Sequence, residues 1–136
     1  MKKMMSARYS TAAFNIATLS LRLSFGLLMF ITHGLTKLDK FNEMKNVFFD
    51  PFHIGHQFSF ILVLFSEVVC SLLLVIGLFT RLAAFVLFAE MLVVIFFYHK
   101  GQPVASLELA ILHGAVYFSM LLIGPGKISV DGMAGK

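Results

Sequence analysis

Four runs of 17 to 22 residues, almost wholly apolar and each carrying only one or two ionisable side chains, constrain this chain more than any other feature. They cover about residues 14–35, 58–79, 82–98 and 104–123. As helices they would reach about 26–33 Å, enough to cross a hydrocarbon core of about 30 Å. Barrel strands would be about half as long and would alternate in polarity. Composition agrees. Hydrophobic residues make up 59% and charged residues 13% of 136, with a mean hydropathy of +0.90. A water-soluble domain is nearer about 25% charged. The sequence therefore predicts an all-α integral membrane protein: a four-helix transmembrane bundle in contact with a lipid bilayer, one domain over residues 1–136. Disorder is excluded by the hydrophobicity. A nucleic-acid partner is not expected either, because the formal charge is only +4 and no basic stripe interleaves with aromatics.

The connections carry their own signals. In the first, residues 38–57, Leu38, Phe41, Met44 and Phe48 recur at helical spacing, while Lys40, Glu43, Lys45 and Asn46 take the other side. That predicts a short amphipathic helix at the outer interface, ended by Asp50-Pro51. Thr80-Arg81 forms a tight hairpin, 100–103 a turn, and Gly124-Pro125-Gly126 ends the last helix. Lys2, Lys3 and Arg8 precede an apolar stretch as in a signal peptide, but Arg22 interrupts it and it is too long for an h-region. An uncleaved signal-anchor helix is expected. With four spans, Lys2, Lys3, Arg8, Arg81, Lys127 and Lys136 share one side, against Lys37, Lys40, Lys45 and Lys100. Six against four places both termini in the cytoplasm.

Ionisable groups at bilayer depth cost about 2.5–3.5 kcal/mol each on insertion scales, so they should face one another. Arg22 and His33 share a helix face with Gly26 and Lys37. Counting residues along each span gives two polar layers. A central buried core holds Arg22, Glu67, Glu90 and His113, with Glu67 expected to meet Arg22 or another polar group of the first span. An outer layer holds His33, Lys37, His99 and Glu108. These four, from three spans, are the candidate substrate-binding residues, walled by Phe30 and Leu112 and covered by the loop helix. A solvated rim without a cavity is the alternative. No metal is expected, since the E-x-x-H pairs of carboxylate-bridged bundles are absent. Cys70, the one cysteine, reads as a small buried hydrophobe and rules out dithiol chemistry by this chain alone. His53 and His56 read as solvated loop residues.

The same residues resemble the DoxX family. Arg22 precedes a helix ending His33-Gly34-Leu35-Thr36-Lys37-Leu38; Glu67 opens a stretch closing as Gly77-Leu78-Phe79-Thr80-Arg81. His99 with Gly101, Glu108, and the ending Gly124-Pro125-Gly126-Lys127-Ile128-Ser129-Val130-Asp131 follow in order. The resemblance covers about residues 17–131. Cys70-Ser71 departs from it, where members commonly carry small Gly residues. The resemblance implies a bacterial inner-membrane protein linked to quinone and to membrane redox systems, without fixing a reaction.

Three readings follow. The first is a subunit or accessory of a quinone-linked redox system, with quinone as the one cofactor in view and an oxidoreductase as partner. Its catalytic residues stay unassigned, because the chain lacks a dithiol, a clear haem-ligand pair and a nucleotide motif. The second is a non-enzymatic scaffold docking such a partner. The third is a small-molecule or proton carrier, which at this length would call for a homo-oligomer and lacks a Pro-broken helix.

Overall fold

The computed structural model describes residues 4–135, and the described residues are helical wherever they are regular. Lys2, Lys3 and Lys136 of the charge count lie outside them. Four long apolar helices fit membrane spans: α1 (Thr11–Asp39), α3 (His56–Ile76), α4 (Thr80–Tyr98) and α5 (Val104–Ile123). Two short helices, α2 (Phe41–Met44) and α6 (Val130–Met133), sit in the first loop and the tail. The spans form a ring in which α1 packs on α3, α3 on α4, α4 on α5, and α5 on α1. Met29, Cys70, Leu74, Leu87, Met91, Tyr117 and Met120 fill the middle.

Helix α1 is longer than the apolar run that announced it. Ser10 caps its start by accepting from the Ala13 N–H at 3.0 Å. Its far end runs past Leu35 because Lys37 finds a buried partner there, described below, and so need not turn to water. Leu38 belongs to this helix, and the predicted amphipathic loop helix shrinks to the single turn α2. The rest of the loop folds back on the bundle: Phe41 and Phe48 stack on the fully buried Phe60 at 5.6 and 4.9 Å between ring centres. Asp50 closes it by accepting from the N–H groups of Ile54 and Gly55 at 3.0 and 2.8 Å. Desolvation pushes the Asp50 carboxyl up, but those N–H groups, with His56 and His53 alongside, outweigh it and hold it below its ordinary value.

The end that carries both termini is tied by polar groups. Gly77, at φ +77°, ends α3 in the left-handed conformation. A Cβ there would stand 2.3 Å from that of Ser129 and 3.1 Å from the Arg22 guanidinium carbon, so only glycine lets the tail lie this close. Asp131 then caps α4, its carboxylate accepting from Phe79 N and Thr80 N at 3.0 and 2.9 Å. Asn15 accepts from Lys127 N at 3.0 Å.

Arg22 is the centre of this knot and does not meet Glu67, as the central layer had it. Its Nε donates to Leu74 O and its Nη2 to Val75 O, each at 3.1 Å. Its Nη1 donates to Pro125 O at 2.8 Å and Ile128 O at 2.7 Å. The reason is geometric. Helical side chains lean toward the N-terminus of their own helix. In α1 that direction carries Arg22 away from mid-depth, onto the open carbonyls at the end of α3 and in the tail.

Candidate functional site

At the other end the same lean acts on Lys37, drawing it back from the surface toward mid-depth. Its ammonium donates to both Glu67 oxygens, at 2.9 and 2.8 Å, and the pair is buried on the Glu67 side. Glu67 therefore pairs with the first span through Lys37. Gly34 makes this possible: a Cβ there would stand 2.8 Å from the Glu67 carbonyl oxygen, so the two backbones touch. Around this contact the helices widen into π-helical turns, Met29–Gly34 in α1 and Phe65–Cys70 in α3, with a third at Val94–Tyr98 in α4. Such turns re-aim side chains and recur at functional positions. Ser71, the departure noted in the sequence, satisfies its hydroxyl by donating to the carbonyls of Glu67 and Val68, and it is fully buried.

Glu90 of α4 completes a carboxyl cluster. It accepts from the Ser66 hydroxyl and shares the cavity lining with Glu67.

His113 of α5 is 6% exposed, and its Nδ1 lies 2.9 Å from the Leu109 carbonyl. A carbonyl only accepts, so Nδ1 is the ring nitrogen that donates there. Nε2 is buried and has no hydrogen-bond partner among the described residues. Phe25, Tyr117 and His33 pack their rings around it at 5.1, 5.9 and 6.5 Å between centres. An orphaned buried polar atom costs about 1–3 kcal/mol, so it calls for an explanation.

These groups line one cavity of about 870 Å³, within the 300–1,000 Å³ usual for ligand sites. His33, Lys37, Glu67, Glu90, His99 and His113 supply its ionisable lining. Its walls come from the loop, α3, α4 and α5, notably Phe48, Phe49, Phe52, Leu62, Phe65 and Leu109. Leu62 and Phe65 are about half exposed on the outer face of the bundle, so the cavity reaches the lipid side. The aromatic pairs Phe49–Tyr98 and Phe52–Phe97, at 5.3 and 5.2 Å, bind the loop to the end of α4 across its mouth.

Of the four outer-layer residues, the structure brings three to this cavity and separates one. His33 and Lys37 line it directly. His99 sits at its rim, 2.8 Å from the Gln102 side chain. Glu108 is exposed and lies outside the lining. The residues that line the cavity from the first half of α5 are instead Ser106, Leu109 and Ala110. Phe30 and Leu112 likewise lie outside the lining. Of the central layer, Glu67, Glu90 and His113 belong to this cavity rather than to a separate tier, and Arg22 belongs to neither. Residue counting missed this because it places Cα atoms, while long side chains travel a full turn from theirs. Among the described residues no cluster of three or more His, Cys, Asp or Glu could hold a metal ion.

The comparisons with known proteins agree with the helical plan. The DoxX family model matches residues 17–100, which take in α1, α3 and α4, and the chain belongs to the DoxX family. An uncharacterized protein of Haemophilus influenzae is 42% identical over 72 residues, covering 48% of this chain and 54% of that protein. The match thus spans about half the length of that relative. No solved structure matches.

Proposed function

We propose that this DoxX-family membrane protein binds a quinone at the cavity between α1, α3, α4 and α5, as a subunit or accessory of a quinone-linked redox system. The observation that carries the reading is His113 Nε2: a buried ring nitrogen without a hydrogen-bond partner among the described residues, set in the wall of an apolar cavity whose lining also holds Glu67 and Glu90. Quinone chemistry moves protons together with electrons, and histidine and carboxyl groups are the side chains that exchange them. The apolar walls suit the ring, and the opening at Leu62 and Phe65 suits a lipid-soluble tail. Electrons come from an oxidoreductase partner, since the one cysteine of the sequence cannot form a dithiol. We place the protein in the bacterial inner membrane with both termini in the cytoplasm, so that the cavity faces the outer leaflet.

Two experiments test this. Purification in mild detergent followed by mass spectrometry should find isoprenoid quinone co-eluting with the wild type. Leu62→Trp, which crowds the opening, should reduce it; equal quinone in both, or none in either, counts against the site. For orientation, thiol labelling of Ser6→Cys and Lys127→Cys from the periplasmic side should fail, both positions being exposed. Efficient labelling of either reverses the topology.

A further inference from the structure

Away from the cavity, an exposed cation stands at the polar end of an apolar groove. Arg81, in the first turn of α4, lies against Gly124, where α5 ends. A Cβ on Gly124 would stand 3.2 Å from both Nε and Nη2 of Arg81 and 3.7 Å from its Cζ, so the glycine leaves the guanidinium room against the backbone. Among the described residues no carboxylate pairs with Arg81, and no carbonyl at the end of α5 accepts from it. Asp131, the acidic residue at this end, is buried and accepts from Phe79 N and Thr80 N. The planar fork of an arginine fits two oxygens of a phosphate in parallel hydrogen bonds.

The groove is a hollow of about 290 Å³ between α4 and α5, lined from one helix by Phe88, Leu92 and Ile95 and from the other by Ile111, Ala115 and Phe118. Leu92, Ile111 and Phe118 are exposed, so it opens on the lipid-facing surface of the bundle. Gly114, buried beneath it, lets the helices close: a Cβ there would already touch Met91 Cβ at 3.4 Å. Arg81, Phe88, Leu92 and Ile95 follow one another at steps of seven, four and three residues, which puts them on one face of α4. Phe88 and Leu92 stand about 10 and 16 Å along the helix from Arg81, and one leaflet of hydrocarbon is about 15 Å deep. A chain hung from a headgroup at Arg81 therefore passes along the groove.

We propose that this edge of the bundle holds one phospholipid of net negative charge, its phosphate on Arg81 and an acyl chain in the α4–α5 groove. The sign of the headgroup follows from the charges at that end. A zwitterionic lipid would bring an ammonium to a place where, among the described residues, the exposed ionisable side chains are Arg8, Arg81 and Lys127. The site is independent of the quinone reading, since it shares only Met91 with the lining of the cavity.

The test uses the full chain, delipidated in detergent and mixed with phosphatidylglycerol or phosphatidylethanolamine of identical acyl chains. Native mass spectrometry then reads the lipid retained. The wild type should hold one lipid per chain and favour phosphatidylglycerol about fivefold, the worth of one basic residue at an anionic lipid. Arg81→Gln should remove the preference at an unchanged melting temperature. Arg8→Gln makes the same change of charge at an exposed site ahead of α1 and should keep it. Ala115→Phe, at an exposed position of the groove, should lower retention of both lipids. Equal retention of the two lipids by the wild type overturns the proposal, as does retention of neither. A preference lost equally in Arg8→Gln assigns it to overall charge and overturns the Arg81 site. Unchanged retention in Ala115→Phe overturns the groove as the seat of the chain.

Discussion

Arg22 and Lys37 lie on one face of one helix, about four turns apart, and each is drawn toward the N-terminal side of its own position. Arg22 arrives among four backbone carbonyls that complete its guanidinium. Around it, the described buried polar atoms are paired, Thr80 Oγ1 excepted. Lys37 arrives at a carboxylate that lines a cavity, with a second carboxyl and an unpaired imidazole nitrogen in the same lining. One end of the bundle closes its polar groups on backbone; the other leaves them facing open space. The difference separates polarity that holds helices together from polarity that awaits a ligand.

The largest effect should come from the closed end. Arg22→Met leaves four carbonyls of α3 and the tail without their donor, and each hydrogen bond to a charged group is worth about 1.5–3 kcal/mol. We expect loss of monodisperse protein in detergent, and partial recovery with Arg22→Lys, which lacks the planar fork. A melting curve for Arg22→Met matching the wild type would break the comparison at its firm end. Next comes Lys37→Met, which strands the Glu67 carboxylate. Lys37 keeps some exposure, so about 1–3 kcal/mol is expected, below the value for a fully buried pair. The double variant Lys37→Met/Glu67→Gln should regain most of it, and a double-mutant cycle measures the coupling.

Smaller effects sharpen the contrast. Gly34→Ala must push α1 off the Glu67 carbonyl and should cost about 1–2 kcal/mol. His113→Phe removes the orphaned nitrogen while keeping the ring that Phe25 and Tyr117 pack on, so its melting temperature should stay level or rise slightly. A marked fall would place His113 with the structural groups. The smallest change belongs to the loop. Asp50 has a lowered pKa when folded, so its stabilisation is present above the ordinary carboxyl pKa of 3.8 and is lost as pH falls through the folded value. Protection of the Ile54 and Gly55 amides from hydrogen exchange should fade below that pH in the wild type and be absent in Asp50→Asn.

The four spans were legible because apolar length is a direct physical signal. The polar residues were legible too, since Arg22, Glu67, Glu90 and His113 stand out in apolar runs. Their partners were not. Counting rise per residue put Arg22 and Glu67 at one depth, and only side-chain direction separates them. Glu108 and Leu109 differ by one position, about 100° of helix, which decides which of them faces the cavity. The weak polarity of α5 gave no way to choose. The tail was visible as Gly-Pro-Gly followed by Ser129 and Asp131, but its return to cap α4 depends on the close contact at Gly77. No local pattern announces that contact.

The account turns on the open end being a ligand site, and one paired measurement reaches that claim directly. Wild type and His113→Phe are purified side by side, and each is assayed for melting temperature and for isoprenoid quinone retained per protein. The account predicts equal or slightly higher stability in His113→Phe, with clearly less quinone retained per protein than in the wild type. Quinone retained equally by both proteins would contradict it.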